Sequence, residues 1–220
     1  MILAGAARRA AQAALACLLL LQPAVRAADE APRIRANVDY RLIEPQPVTT
    51  GSRVEVIDFF WYGCPHCYTF QPALESWIRR MPADVALRRV PALLRDNWAP
   101  HARIYYTLEA LGEVERLHQA VYHGYHVEEL HMSKPDVMLQ WAMRQGIDGR
   151  RWTEAYHSAK VTEKVERAKE MTNDYNVQGT PSLVVDGRYL TSPAMARGEH
   201  RMIPILEELI ALARAERSRK

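Results

Sequence analysis

The residues best suited to chemistry are Cys64, Pro65, His66 and Cys67. Two thiols at this spacing can close a disulfide, exchange with one in a partner, or ligate a metal. The flanking sequence favours exchange. Val54 to Phe60 reads as a strand, Gly63 allows a turn, and Phe70, Leu74, Trp77 and Ile78 recur at helical spacing to about Arg80. Cys64 is therefore expected at a helix start, where free backbone N–H groups and the positive end of the helix dipole favour a thiolate. Pro65 suits the first turn. The thiolate is the attacking species, so Cys64 is expected to form the mixed disulfide and Cys67, one turn deeper, to resolve it. His66 can add a hydrogen bond or partial positive charge. A stabilised thiolate makes a disulfide easier to reduce, so the pattern favours donating disulfides over reducing them.

Competing uses of the pair fit less well. A structural bridge here would close a tiny loop and contribute little stability. A zinc site needs about four ligands and no second C-x-x-C exists. Haem attachment needs histidine where Tyr68 stands. No metal and no cofactor beyond the Cys64–Cys67 disulfide itself is expected.

The chain has 220 residues, 48% hydrophobic and 25% charged, ordinary for a globular protein with a sizeable core. Residues 1–27 read as a secretory signal peptide. Arg8 and Arg9 precede an apolar run from Ala10 to Leu21, and Val25-Arg26-Ala27 offers a cleavage site. That run is too short to span a bilayer. Cys17 lies within it, where Ala14 and Leu15 match a lipidation signal poorly. Residues 1–27 carry three arginines and no acid, so Lys+Arg falls from 29 to 26, equal to the 26 Asp+Glu. A near-neutral mature chain gives no support for a nucleic-acid partner. Two remaining cysteines in an oxidising compartment read as redox chemistry.

The elements that must hold the site follow in order. Residues 28–36 form a polar tether, residues 37–96 the first part of an α/β unit, residues 97–160 a helical insertion, and residues 161–220 the second part. Val85 to Val90 is a strand candidate. Ile104, Leu108 and Leu111 share a helical face, as do Val137, Trp141 and Met143 on another helix, with Ser133 as its cap. Val161, Val165, Ala168, Thr172 and Tyr175 mark a further helix. Ser182 to Val185 and Arg188 to Leu190 flank Asp186-Gly187, a hairpin signal. Ile203, Leu206, Leu209, Ile210 and Ala213 mark the last helix. This order predicts a thioredoxin-like α/β fold with an inserted helical domain.

In that fold Gly179-Thr180-Pro181 faces the thiols, with Pro181 in a cis peptide bond that exposes backbone groups to an extended peptide. Asp58 interrupts the first strand. It is either a half-exposed strand residue or a buried carboxyl relaying a proton to Cys67. His118, His123, His126 and His131 read as solvated helix and loop histidines, and Trp77, Trp141 and Trp152 as core. Trp61 and Tyr62 either pack beneath the redox loop or line a peptide-docking surface.

The run Phe59 to Cys67, the helical block beginning near Trp98 and Gly179-Thr180-Pro181-Ser182 together resemble the DsbA family. The resemblance spans Tyr40 to the last helix, and C-P-H-C is its most specific element. It implies that Cys64 is the nucleophile, Cys67 its partner, His66 the tuning residue and Pro181 the cis-proline. It also implies a periplasmic location, unfolded exported proteins as substrates, and reoxidation by a quinone-linked membrane protein of the DsbB type. Two positions depart from the pattern: Thr180, where some members carry valine, and Asp58, which is shorter than glutamate and for which Val85 to Val90 offers Arg88 and Arg89 instead of a lysine. The alternative on this fold is a disulfide reductase or isomerase, but isomerases of this type add a dimerisation domain and none fits before Val54. A peptide-binding chaperone would make the cysteines incidental, and a glutathione-linked enzyme would not need Cys67. A monomer is expected.

Overall fold

The computed structural model describes residues 34–219. The signal peptide and Cys17 lie outside the described residues, as does most of the tether. Of its last residues, Ile34 is buried in the core beside Tyr40, because an isoleucine gains more by packing than by trailing in water.

Five strands form one sheet in the order β1-β5-β4-β2-β3. They are β1 (Arg41–Leu42), β2 (Val54–Phe60), β3 (Val85–Pro91), β4 (Ser182–Val185) and β5 (Tyr189–Thr191). β2 lies at the centre and is buried throughout, which explains its nearly unbroken apolar run. It pairs parallel with β3, Asp58 opposite Arg89, and antiparallel with β4. Successive strand residues face opposite sides. Val54 and Val56 pack with Phe70, Leu74 and Trp77 of α1 (Pro65–Ile78) and Leu206 and Leu209 of α8 (Met202–Arg217). Ile57 and Phe59 join a second core with the helical insertion.

That insertion comprises α2 (Ala99–Leu111), α3 (Val114–His126), α4 (Pro135–Arg144) and α5 (Gly149–Tyr156). α6 (Ala159–Asp174) returns the chain to the sheet, and α7 (Pro193–Ala196) follows the hairpin. Local chemistry sets several boundaries. The Ser158 hydroxyl caps Val161 N–H and Asp148 caps Arg151 N–H, while Gly112 closes α2 in the left-handed conformation. Asp186 and Gly187 both have positive φ, as a tight hairpin turn requires. A Cβ on Gly187 would lie 2.4 Å from the Gln46 carbonyl oxygen.

Three local expectations are corrected. Met143 is 56% exposed, and the buried stripe of α4 is Met138, Trp141 and Ala142, because Met138 leads that stripe at helical spacing. Lys134, not Ser133, occupies the N-cap of α4, without a side-chain cap. The last strand begins at Tyr189, since Arg188 is consumed in closing the turn through its N–H to the Val185 carbonyl. No helix among the described residues is long and apolar enough to cross a membrane.

Candidate active site

β2 ends at Phe60 and the chain turns through Trp61, Tyr62 and Gly63 into α1. The turn is tight because the Cys64 N–H donates to the Trp61 carbonyl at 3.0 Å. A Cβ on Gly63 would stand 2.3 Å from the Trp61 ring, so glycine is required by close approach. That ring stacks on Trp98 with centroids 4.1 Å apart. Tyr62 lies fully buried beneath the loop.

Cys64 is the N-cap residue of α1, and its sulfur accepts the Cys67 N–H at 3.4 Å. Its thiol also donates to the Thr180 carbonyl at 3.2 Å. The two sulfurs are unbridged, and the geometry is that of the dithiol. Cys64 is 6% exposed and Cys67 is wholly buried. Their acidities diverge. The hydrogen bond from the Cys67 side chain, with those from Thr180 and the Cys67 and His66 backbone, outweighs burial and brings Cys64 down to about 5. Burial, reinforced by that same hydrogen bond to Cys64, pushes Cys67 well above the ordinary thiol value. Cys64 is therefore the thiol that ionises near neutrality, giving up its bond to the Thr180 carbonyl, while Cys67 keeps its proton.

Asp58 is 1% exposed, which removes the half-exposed reading. An inward-facing position on a central strand gives it no route to water. Its two carboxylate oxygens have no hydrogen-bond partner among the described residues. Burial raises its pKa to about 7 against the opposing pull of Arg89, with Glu75 adding to the rise. Arg89 is drawn away to Glu75 of α1 at 2.5 Å. Arg88 faces the other side of the sheet and pairs with Glu55.

The Thr180–Pro181 peptide bond is cis. It forms one wall of a groove of about 420 Å³, together with His66, Ser192, Pro193, Gly198 and Glu199. A second hollow of about 430 Å³ continues past Gly179 towards Arg41 and Met195. His66 is placed differently from expectation. Its ring Nδ1 pairs with the Glu199 carboxylate, and it is its backbone, not its ring, that helps to lower Cys64. Glu199, 133 residues away in the chain, had no sequence signal.

Two histidines of α3, His118 and His126, depart from the solvated reading, whereas His123 is exposed as expected. His118 is buried and its Nδ1 shares a 2.8 Å hydrogen bond with the Tyr62 hydroxyl. His126 Nε2 lies 2.8 Å from the Tyr62 carbonyl oxygen, while His123 pairs with Glu128 at the surface. These residues were visible in the sequence only as a histidine-rich stretch, and it is the docking of α3 beneath the redox loop that divides their roles. Among the described residues no group of three or more His, Cys, Asp or Glu side chains is placed to hold a metal ion.

The family described as the DSBA-like thioredoxin domain matches residues 55–209. This chain belongs to the DsbA family. The thiol:disulfide interchange protein DsbA of Burkholderia cepacia is 34% identical over 196 residues, 88% of this chain and 92% of that relative. DsbA of Pseudomonas aeruginosa strain PAO1 is 33% identical over 202 residues, 91% and 96% of the two chains. The crystal structure of Pseudomonas aeruginosa DsbA superposes with a TM-score of 0.81 at 33% identity, covering 86% of this chain and 98% of that one. DsbA from Xylella fastidiosa gives a TM-score of 0.75 at 27% identity, covering 80% and 96%. The protein is a thiol:disulfide oxidoreductase of thioredoxin fold with a helical insertion, as its DsbA relatives are.

Proposed function

We propose that this DsbA-family chain donates the Cys64–Cys67 disulfide to dithiols of newly exported, unfolded proteins in the periplasm. The opposed acidities of the two thiols carry this reading. In the oxidised enzyme a substrate thiolate attacks the sulfur of Cys64. The Cys64–Cys67 bond breaks, Cys67 leaves with the electron pair, and a mixed disulfide forms at Cys64. Because Cys67 is a poor acid when buried, it takes up a proton, and Asp58, poised at about 7 on the central strand, is the proposed source. A second substrate thiolate then attacks the substrate sulfur of the mixed disulfide and expels Cys64 as a thiolate. The substrate is oxidised to its disulfide and the enzyme is left as a dithiol.

Cys64 at about 5 needs no proton to leave at neutral pH, so release of the oxidised substrate is favoured. The groove beside Thr180 and Pro181 suits an extended peptide. His66, held by Glu199 on its rim, supports Cys64 through the backbone, and Pro65 starts the helix. The Cys64–Cys67 disulfide serves as the redox group, a DsbB-type membrane protein restores it, and the working unit is a monomer delivered by a signal peptide over residues 1–27.

The test is the reduction potential of the couple in glutathione buffers, followed by tryptophan fluorescence. A value above about −180 mV, the protein disulfide isomerase range, supports donation, and one near about −270 mV, the thioredoxin range, makes the chain a reductase.

A further inference from the structure

Tyr62 precedes Cys64 by two residues and is held at both ends by one helix. The His118 ring binds its hydroxyl and the His126 ring binds its carbonyl oxygen, each at 2.8 Å. Between them the Tyr122 ring packs edge-on against the Tyr62 ring, centroids 4.9 Å apart. Positions 118, 122 and 126 are successive i, i+4 neighbours, so one stripe of α3 about 12 Å long spans the residue. A carbonyl oxygen can only accept, which fixes the proton of His126 on Nε2. That ring is itself held by stacking on Tyr68 of α1 at 4.9 Å and 13°. His126 therefore ties the redox loop, the redox helix and the inserted domain together at one point.

We infer that this stripe of the insertion positions the redox loop, with His126 as a positioning residue that sets the acidity of Cys64 by fixing the Tyr62 carbonyl. The inference rests on Cys64 being the exchanging thiol. The Tyr62–Gly63 peptide plane leads directly into the N-cap. A loop pinned at the Tyr62 carbonyl keeps the Cys64 sulfur within reach of the Cys67 N–H, the donor that favours the thiolate. Released, the turn keeps the Cys64 N–H bond to the Trp61 carbonyl, but glycine as its next residue lets the peptide plane tilt. The thiolate then loses part of its hydrogen bonding, and the disulfide becomes harder to reduce.

The test compares His126→Phe, which keeps a ring to stack on Tyr68 but has no N–H, with His126→Gln, which keeps a donor. Three quantities are read in each: the Cys64 titration by thiolate absorbance, the equilibrium constant with glutathione, and the unfolding stability of oxidised and reduced forms. Loss of one net hydrogen bond predicts that His126→Phe lowers the equilibrium constant for reduction by roughly fivefold to tenfold. Tenfold corresponds to about 30 mV. The Cys64 titration moves up in step, the reduced form loses more stability than the oxidised form, and His126→Gln restores most of the change. Equal destabilisation of both redox forms with an unchanged potential would reduce His126 to a packing residue and overturn the inference. So would a Gln variant that behaves like Phe. If His126→Phe does not fold, His126→Leu, which likewise offers no donor to the Tyr62 carbonyl, takes its place beside the Gln variant, and an unchanged Cys64 titration in the Leu variant refutes the inference. The potential of the unaltered protein tests the donor reading separately, since it can be that of a reductase while the variants still shift it.

Discussion

Lowering the pH should weaken the reduced protein far more than the oxidised one. Cys64 ionises at about 5 in the fold against an ordinary thiol value of 9.0. Between those limits the unfolded chain binds the extra proton, so stability rises with pH by about 1.4 kcal/mol per unit. The contribution is complete above the unfolded value and vanishes as pH falls through the folded one. Two units separate pH 7 from the folded value, so acidification from about pH 7 to below 5 removes roughly 3 kcal/mol from the reduced form. The oxidised form has no thiol to titrate. Urea unfolding of both forms across this range, read by the five tryptophans, isolates the effect. Asp58, His101 and His118 titrate in both forms and largely cancel in the difference. Cys67, raised by burial, stays protonated below the ordinary thiol value. A reduced-minus-oxidised difference that is flat across this range would refute the assignment of a stabilised thiolate to Cys64.

Further expectations concern single side chains. Asp58→Asn removes a carboxyl whose raised pKa stabilises the fold below its ordinary value of 3.8 and costs stability as pH rises through about 7. The variant should gain up to about 4 kcal/mol relative to the parent near pH 8, with no gain near pH 3, and its exchange rate should lose the inflection near neutrality. Urea unfolding and stopped-flow oxidation of a dithiol peptide measure the two effects, and a variant less stable than the parent near pH 8 contradicts the orphaned-carboxyl reading. Gly63→Ala drives a methyl into the Trp61 ring and should cost about 1–3 kcal/mol, with loss of the Trp61–Trp98 signature in near-ultraviolet circular dichroism. An unchanged spectrum would mean the two rings do not depend on Gly63. Gly187→Ala places a Cβ against the Gln46 backbone in a left-handed turn. It should lower stability by about 1–3 kcal/mol without altering the potential, because the turn lies on the sheet away from the thiols.

Much of this was readable in the chain because local chemistry set it. The apolar run of β2, the Asp186-Gly187 turn and the stripe Val161, Val165, Ala168, Thr172 each state their own conformation, and Cys64 announces its helix start through Pro65. What was not readable depends on partners far along the sequence. β1 is two residues long and exists by pairing with β5, so no periodicity could mark it. Thr172 sits inside a buried face since its hydroxyl accepts Leu93 N–H and donates to the Ala168 carbonyl. His66 finds Glu199, and His118 and His126 find Tyr62, only when distant segments dock. The aspartate in β2 had two readings until the register set Arg89 beside it and α1 drew that arginine away.

The connectivity of the sheet bears on when the protein becomes reactive. Chain synthesis delivers β2, Cys64 and Cys67 early, whereas the Thr180 carbonyl follows 116 residues later. Until the helical block folds and β4 pairs with β2, the two cysteines lack the α3 clamp on Tyr62 and the cis-proline wall of the groove. Reactivity is thus acquired on completion of the fold. A nascent or truncated chain carries the full C-P-H-C motif yet lacks the groove and the clamp on Tyr62. The insertion acts in this respect as a delay line, separating the moment the thiols are made from the moment they are armed.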